Sequence, residues 1–103
     1  MPAEIVWSPA ARQDLLDIYV LIGSEQPRAA DRYFDRILAS VTRLSEHPRI
    51  GKRRPDIRAE TRMLVERPYI VLYRTEPDSD DGEIAHVIVI RVVDGRRDLT
   101  SLF

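Results

Sequence analysis

The chain has 103 residues, no cysteine, 44% apolar and 32% charged side chains, enough apolar material for one domain with a real core. That composition excludes a disulfide scaffold, a thiolate metal site and a thiol nucleophile, and two histidines, His47 and His86, are a poor basis for zinc. The net charge of −1 argues at first against an anionic partner, yet it conceals −2 over residues 1–48, +5 over 49–74 and −4 over 75–103.

In chain order, Ala3–Trp7 alternates as a short strand. Ser8-Pro9 supplies a capping side chain and then a proline at the first helical position, where a missing N–H costs nothing. Ala11, Leu15, Ile18 and Ile22 recur on one helical face that stops at Gly23, with Leu16 and Tyr19 expected to widen it. A second helix starts at Gln26-Pro27. Ala30, Phe34, Ile37, Val41 and Leu44 form its stripe, flanked by Tyr33 and Leu38, and His47-Pro48 and Gly51 end it. So short a connection predicts an antiparallel helical hairpin.

The period then changes. Arg62–Glu66 and Tyr69–Arg74 read as strands separated by Arg67-Pro68, and Pro77–Gly82 reads as a turn. Ile84–Val93 is a longer strand, apolar on both faces from Val87 to Ile90, which predicts a central place in the sheet. The expectation is an α+β domain: an N-terminal strand and a helical hairpin packed on an antiparallel meander. Arg96–Phe103 follows as a charged and then apolar tail that folds back on the core or docks on another chain. The apolar runs are too short to cross a membrane and no signal peptide is recognisable, so a cytoplasmic protein is expected.

Chemistry is sparse. His47 suits the end of a helix, and His86 shares a strand face with Ile84, Ile88 and Ile90, so neither stands out as a general base. Four scattered glycines make no phosphate loop, and no catalytic, metal or cofactor residues are expected. Arg49, Lys52, Arg53 and Arg54 could grip phosphate, pair with the acidic turn near residues 76–83, or keep a loop soluble. They lack the interleaved aromatics of a nucleic-acid stacking platform, so no specific DNA binding is expected. Tyr69 and Tyr73 alternate on one strand face, expected to pack on helices with wet hydroxyls.

Taken in order, Ser8–Tyr19, Pro27–Tyr33, Leu44–Gly51, Arg62-Met63-Leu64, Tyr69–Arg74 and Asp94–Leu99 resemble the RelE/ParE toxin superfamily of bacterial type II toxin–antitoxin modules, most closely its ParE branch. The resemblance implies a strand, a helical hairpin and a three-stranded antiparallel sheet, in a toxin neutralised by a cognate ParD-like antitoxin. ParE-type members inhibit DNA gyrase without being enzymes; RelE-type members cut mRNA in the ribosome with basic residues and a tyrosine or histidine near the C-terminus. This tail offers Arg96, Arg97 and Asp98, and arginine is a poor proton acceptor, so the chemistry favours ParE with RelE as the alternative. Asp94 departs from the histidine that relatives place there. The residues implied for target contact are Arg96 and Arg97, then Arg62, Tyr73, Arg74 and Arg91. The +5 segment, through Arg49, Arg53, Arg54 and Arg58, is the implied rim for an acidic antitoxin segment, whose apolar residues would need exposed apolar surface beside the hairpin.

Overall fold

The computed structural model describes residues 2–103. Five strands, β1 (Glu4–Trp7), β2 (Lys52–Arg53), β3 (Arg62–Glu66), β4 (Tyr69–Glu76) and β5 (His86–Asp94), form one sheet in the order β1-β5-β4-β3-β2. Two helices, α1 (Pro9–Gly23) and α2 (Pro27–Arg43), pack on one face, and a 3-10 turn (Leu99–Ser101) closes the chain. The α+β architecture and the β3-β4-β5 meander match expectation. The sheet itself is mixed, because β1 pairs in parallel with β5, Glu4 opposite His86 and Trp7 opposite Val89. The two-residue β2, opposite Arg62 and Met63, carries no apolar alternation that would reveal it in sequence.

The helix starts follow the local chemistry. Ser8, extended at φ −65° and ψ 156°, accepts the Ala11 N–H at 3.0 Å, and Pro9 opens the helix. Ala11 and Leu15 of α1 and Ile37 and Val41 of α2 bury against Tyr69, Val71, Val89 and Val92 of the sheet. Leu16 and Tyr19 do not join them: their exposures of 54% and 38% put them on the outer side of α1. α2 ends at Arg43, short of His47, and Ser45, Glu46 and His47 continue as hydrogen-bonded turns.

Strand β5 keeps its core face through a bulge. Leu72 pairs with Arg91 but Tyr73 with Val89, leaving Ile90 as the extra residue. Strict alternation would send Val89 and Val92 to opposite faces, and the bulge lets both meet the helices. Among the described residues, no strand lies beside this stretch beyond Trp7. Ser8 and Asp14 take over: the Ser8 N–H and hydroxyl donate to the Val89 and Ile90 carbonyls at 3.0 and 2.8 Å, and the Asp14 carboxylate accepts the Val92 N–H at 2.9 Å. The far face of the sheet is also apolar. Ile70, Leu72 and Val93 lie under Ile57, Leu99 and Leu102, so the tail folds back on the body.

Candidate functional site

The turn after β5 is the most sharply built polar feature. Gly95 donates its N–H to the Pro68 carbonyl at 2.8 Å, with Ile70 so near that an added Cβ would meet Cγ1 at 3.0 Å. Asp94 accepts the Arg96 backbone N–H at 2.9 Å and its guanidinium at 2.6 and 3.0 Å. The bonds from Arg96 hold the Asp94 carboxyl at about 2, well below an ordinary carboxylate. Arg96 and Arg97 are both exposed, and among the described residues the Arg97 guanidinium makes no hydrogen bond or ion pair. Leu99 and Leu102 then anchor the chain on the far face. Asp94 thus has a definite task here: it fixes the first arginine, while the second stays exposed with only its charge acting on the carboxylate.

The other residues implied for target contact do not gather at this turn. Tyr73 is fully buried; its hydroxyl accepts the Gly51 N–H at 2.8 Å and donates to the Pro48 carbonyl at 2.9 Å. Burial raises its pKa above the ordinary phenol value. This corrects both the expectation of a wet hydroxyl and a role at the surface. Arg62, opposite Tyr73 and 6% exposed, donates to the carbonyls of Arg49 and Gly51 at 3.3 and 3.0 Å, so it staples the connection after α2 rather than facing a partner. Arg91 is held by Asp14 at 2.6 and 2.9 Å in the brace between α1 and β5. Arg74 is half-buried and lines a cleft with Arg58, Thr61, Ile88 and Ile90.

The basic connection is largely spent inside the molecule. Arg49 donates to the carbonyls of Ser79, Asp81 and Gly82 at 2.8–2.9 Å. Arg53 pairs with Asp78 and Asp80 at 2.9 and 3.0 Å, and Arg54 with Asp56 at 2.8 Å. Arg58 lies 4.8 Å over the Phe103 ring. Of the readings left open for this segment, pairing with the acidic turn is the one realised, and it weakens the segment as a rim for acidic peptide. His86 is half-exposed at the start of β5, between Glu4 of β1 and Glu76 of β4, and 3.7 Å from the Glu4 carboxylate.

The resemblance implied exposed apolar surface beside the hairpin but named no residues for it, and the periodicity put Leu16 and Tyr19 on the buried face instead. Leu16, Val20 and Leu21 are 54–72% exposed, and Tyr19 meets Phe34 edge-on at 5.5 Å. Leu16, Tyr19 and Phe34, with Asp31 and Asp35, line a groove of about 470 Å³ between α1 and α2. The signal was present as the runs Leu15-Leu16 and Tyr19-Val20-Leu21-Ile22, which exceed a single apolar stripe.

Comparison with known proteins places this architecture. Residues 5–99 match the family described as the ParE toxin of the type II toxin–antitoxin system parDE. Toxin ParE3 of Caulobacter vibrioides is 35% identical over 74 residues, 72% of this chain and 67% of that one. Toxin RelE3 of the same organism is 32% identical over 72 residues, 69% and 78% of the two chains. Among solved structures, the chromosomal ParDE system from P. aeruginosa superposes with a TM-score of 0.71 at 23% identity, covering 89% of this chain and 95% of that one. The toxin–antitoxin complex RelBE2 from Mycobacterium tuberculosis gives 0.60 at 26%, covering 91% and 99%. The strand, hairpin and meander are thus a shared scaffold, and with a match spanning nearly its whole length the chain belongs to the ParE toxin family of type II toxin–antitoxin systems, within the RelE/ParE superfamily.

Proposed function

We propose that this toxin acts in the ParE manner, inhibiting DNA gyrase by protein–protein contact through Arg96 and Arg97, and that a cognate antitoxin neutralises it by binding. The observation that carries the reading is the braced turn, Asp94-Gly95-Arg96-Arg97, with one arginine fixed and one free. Guanidinium groups at such a turn hold carboxylates, phosphates and carbonyls in fixed directions, and they do not take up a proton at neutral pH. The ribonuclease alternative asks for a base near the last strand and C-terminus. There the chain places Leu99 and Leu102 on Ile70, Leu72 and Val93, the Tyr73 hydroxyl is committed to backbone, and His86, the one histidine of the last strand, stands at its start, the opposite end from the Asp94 turn. The relatives named ParE3 and ParDE support the same branch, and the complexes among the structural neighbours support an antitoxin partner.

Expression without antitoxin separates the readings. Plasmid supercoiling and primer extension on mRNA are measured in the same cells. Gyrase inhibition alters topology and leaves transcripts intact; codon-positioned cuts with normal topology would overturn the proposal. Arg96→Ala with Arg97→Ala is expected to abolish growth inhibition while the circular dichroism spectrum stays unchanged.

A further inference from the structure

We propose that the outer edge of α2 is a sequence-independent contact for the phosphate backbone of duplex DNA, and that it engages the DNA held by gyrase while Arg96 and Arg97 engage the enzyme. It rests on the gyrase reading in one respect, namely which duplex is engaged. The observation is a row of arginines. Arg28, Arg32, Arg36 and Arg43 are all exposed, and at about 100° per residue they fall within about 80° of one another around the helix. The first three stand about 6 Å apart along the axis, roughly one turn each. Among the described residues none of the four guanidiniums makes a hydrogen bond or an ion pair, and Arg36 lies 5.9 Å over the Tyr33 ring.

The row continues towards the proposed target turn. The Glu66 carboxylate accepts the Ser40 hydroxyl at 2.6 Å, and Tyr33 meets Tyr69 edge-on at 5.9 Å, which brings the exposed turn Arg67-Pro68 alongside this edge of α2. Pro68 takes the Gly95 N–H, so the Asp94 turn adjoins it in its own right. Arg67 and Arg97 are as unpaired as the four on α2. Asp31 and Asp35 mark the other margin of the exposed arc, at the groove; neither pairs with an arginine among the described residues, and Asp31 accepts the Tyr19 hydroxyl. Six unpaired arginines hold a local positive potential that the net charge of −1 conceals, since a charge in salt acts over about 10 Å. Guanidinium suits phosphate, and a rigid helix presents such groups at fixed intervals to a regular phosphate row. The aromatic beside the row, Tyr33, is turned inward to Tyr69, so the surface lacks the stacking platform of a single-strand binder. Nothing in it reads a base edge, which leaves the contact without sequence preference.

The test is fluorescence anisotropy of the full chain with a labelled DNA duplex of about 20 base pairs at low salt. Micromolar binding is expected, falling with added salt along a log–log slope of about −4. Arg32→Glu with Arg36→Glu, at exposed positions where glutamate is as good a helix former, should weaken binding at least about tenfold and take about 2 off the slope. The circular dichroism spectrum should stay unchanged. Arg12→Glu with Lys52→Glu makes the same charge change on α1 and β2 and should cost several-fold less. No duplex binding, or equal loss in the two variants, would overturn the proposal. So would tighter binding of an RNA duplex of matched length, or displacement by polyglutamate as effective as by unlabelled DNA, since the occupant would then be RNA or an acidic protein. Capture by purified gyrase without DNA separates the two readings. Arg32→Glu with Arg36→Glu should keep it and Arg96→Ala with Arg97→Ala should lose it; its loss in the former would place the row on the enzyme and overturn the proposal. Failure of the unsubstituted chain to bind gyrase counts against the gyrase reading and leaves the duplex contact standing, and failure of duplex binding leaves the gyrase reading standing.

Discussion

The Tyr73 hydroxyl is a polar atom placed where only backbone can satisfy it. Its two bonds hold the Pro48–Gly51 connection, and Arg62 holds the same segment from the next strand. Tyr73→Phe keeps the ring but strands the Gly51 N–H and the Pro48 carbonyl, so it is expected to cost about 1–3 kcal/mol in urea unfolding. Gly51→Ala meets the same site from the other side: its Cβ would fall 2.5 Å from the Tyr73 hydroxyl oxygen and 2.9 Å from the Met63 carbonyl. Overpacking of that kind should cost about as much, and Tyr73→Phe should partly relieve it. At the other end of the meander, Asp94 has a depressed pKa, so its ion pair contributes above the ordinary carboxylate range and is lost as pH falls towards about 2. An NMR titration should find the Asp94 midpoint near that value, and Arg96→Ala should raise it towards the ordinary range, short of it because the residue 96 backbone N–H and the Arg97 charge remain. The residue type at 51, 73 and 94 was plain in the sequence. What could not be read was which partner each one meets, because those partners are backbone groups or residues brought close by turns.

Among the elements, the contact of α1 with β5 is the least conventional. Where β1 ends, Ser8 and Asp14 replace a neighbouring strand, and Arg91 closes the ring on Asp14. Asp14→Ala removes the acceptor for Val92 and leaves Arg91 half-buried without its partner. The expected loss is about 2–3 kcal/mol, between an exposed pair and a fully buried one, read from the denaturation midpoint. Arg91→Ala should cost less, since Asp14 then still accepts from Val92. Helix and strand limits were largely legible here, because Ser8-Pro9, Gly23 and Arg67-Pro68 punctuate the chain through local chemistry. The parallel pairing of β1, the bulge at Ile90 and the outward turn of Leu16 and Tyr19 were not. Each depends on what lies across space, and periodicity alone cannot say how many sides of a helix will be covered.

Across the whole molecule, charge is arranged so that the basic connection and the acidic turn neutralise one another. Asp78→Asn with Asp80→Asn leaves Arg53 unpaired and takes the weaker 3.6 Å contact from Arg62. The doubly substituted protein should be retained longer on heparin than its formal charge alone accounts for, at low salt above all. Unchanged retention relative to a control carrying two neutralised acids elsewhere would show that the arginines remain shielded. The family was legible because its scattered short motifs keep their order over the chain. The groove with its acidic wall was not, since Leu16 and Asp31 meet only once the hairpin has closed.

The pairing of β1 with β5 has a consequence in time. Ser8 and Ile90 lie 82 positions apart, so the first strand made waits for the last before it has an edge to join. At ribosomal speeds that wait is about 4–16 s. Throughout it the hairpin can form but the sheet cannot close, and the Asp94 turn has not yet been synthesised. The sheet of this toxin therefore closes only after β5 has been made, and the exposed arginines proposed for target contact, which follow directly on that strand, are presented only once it has.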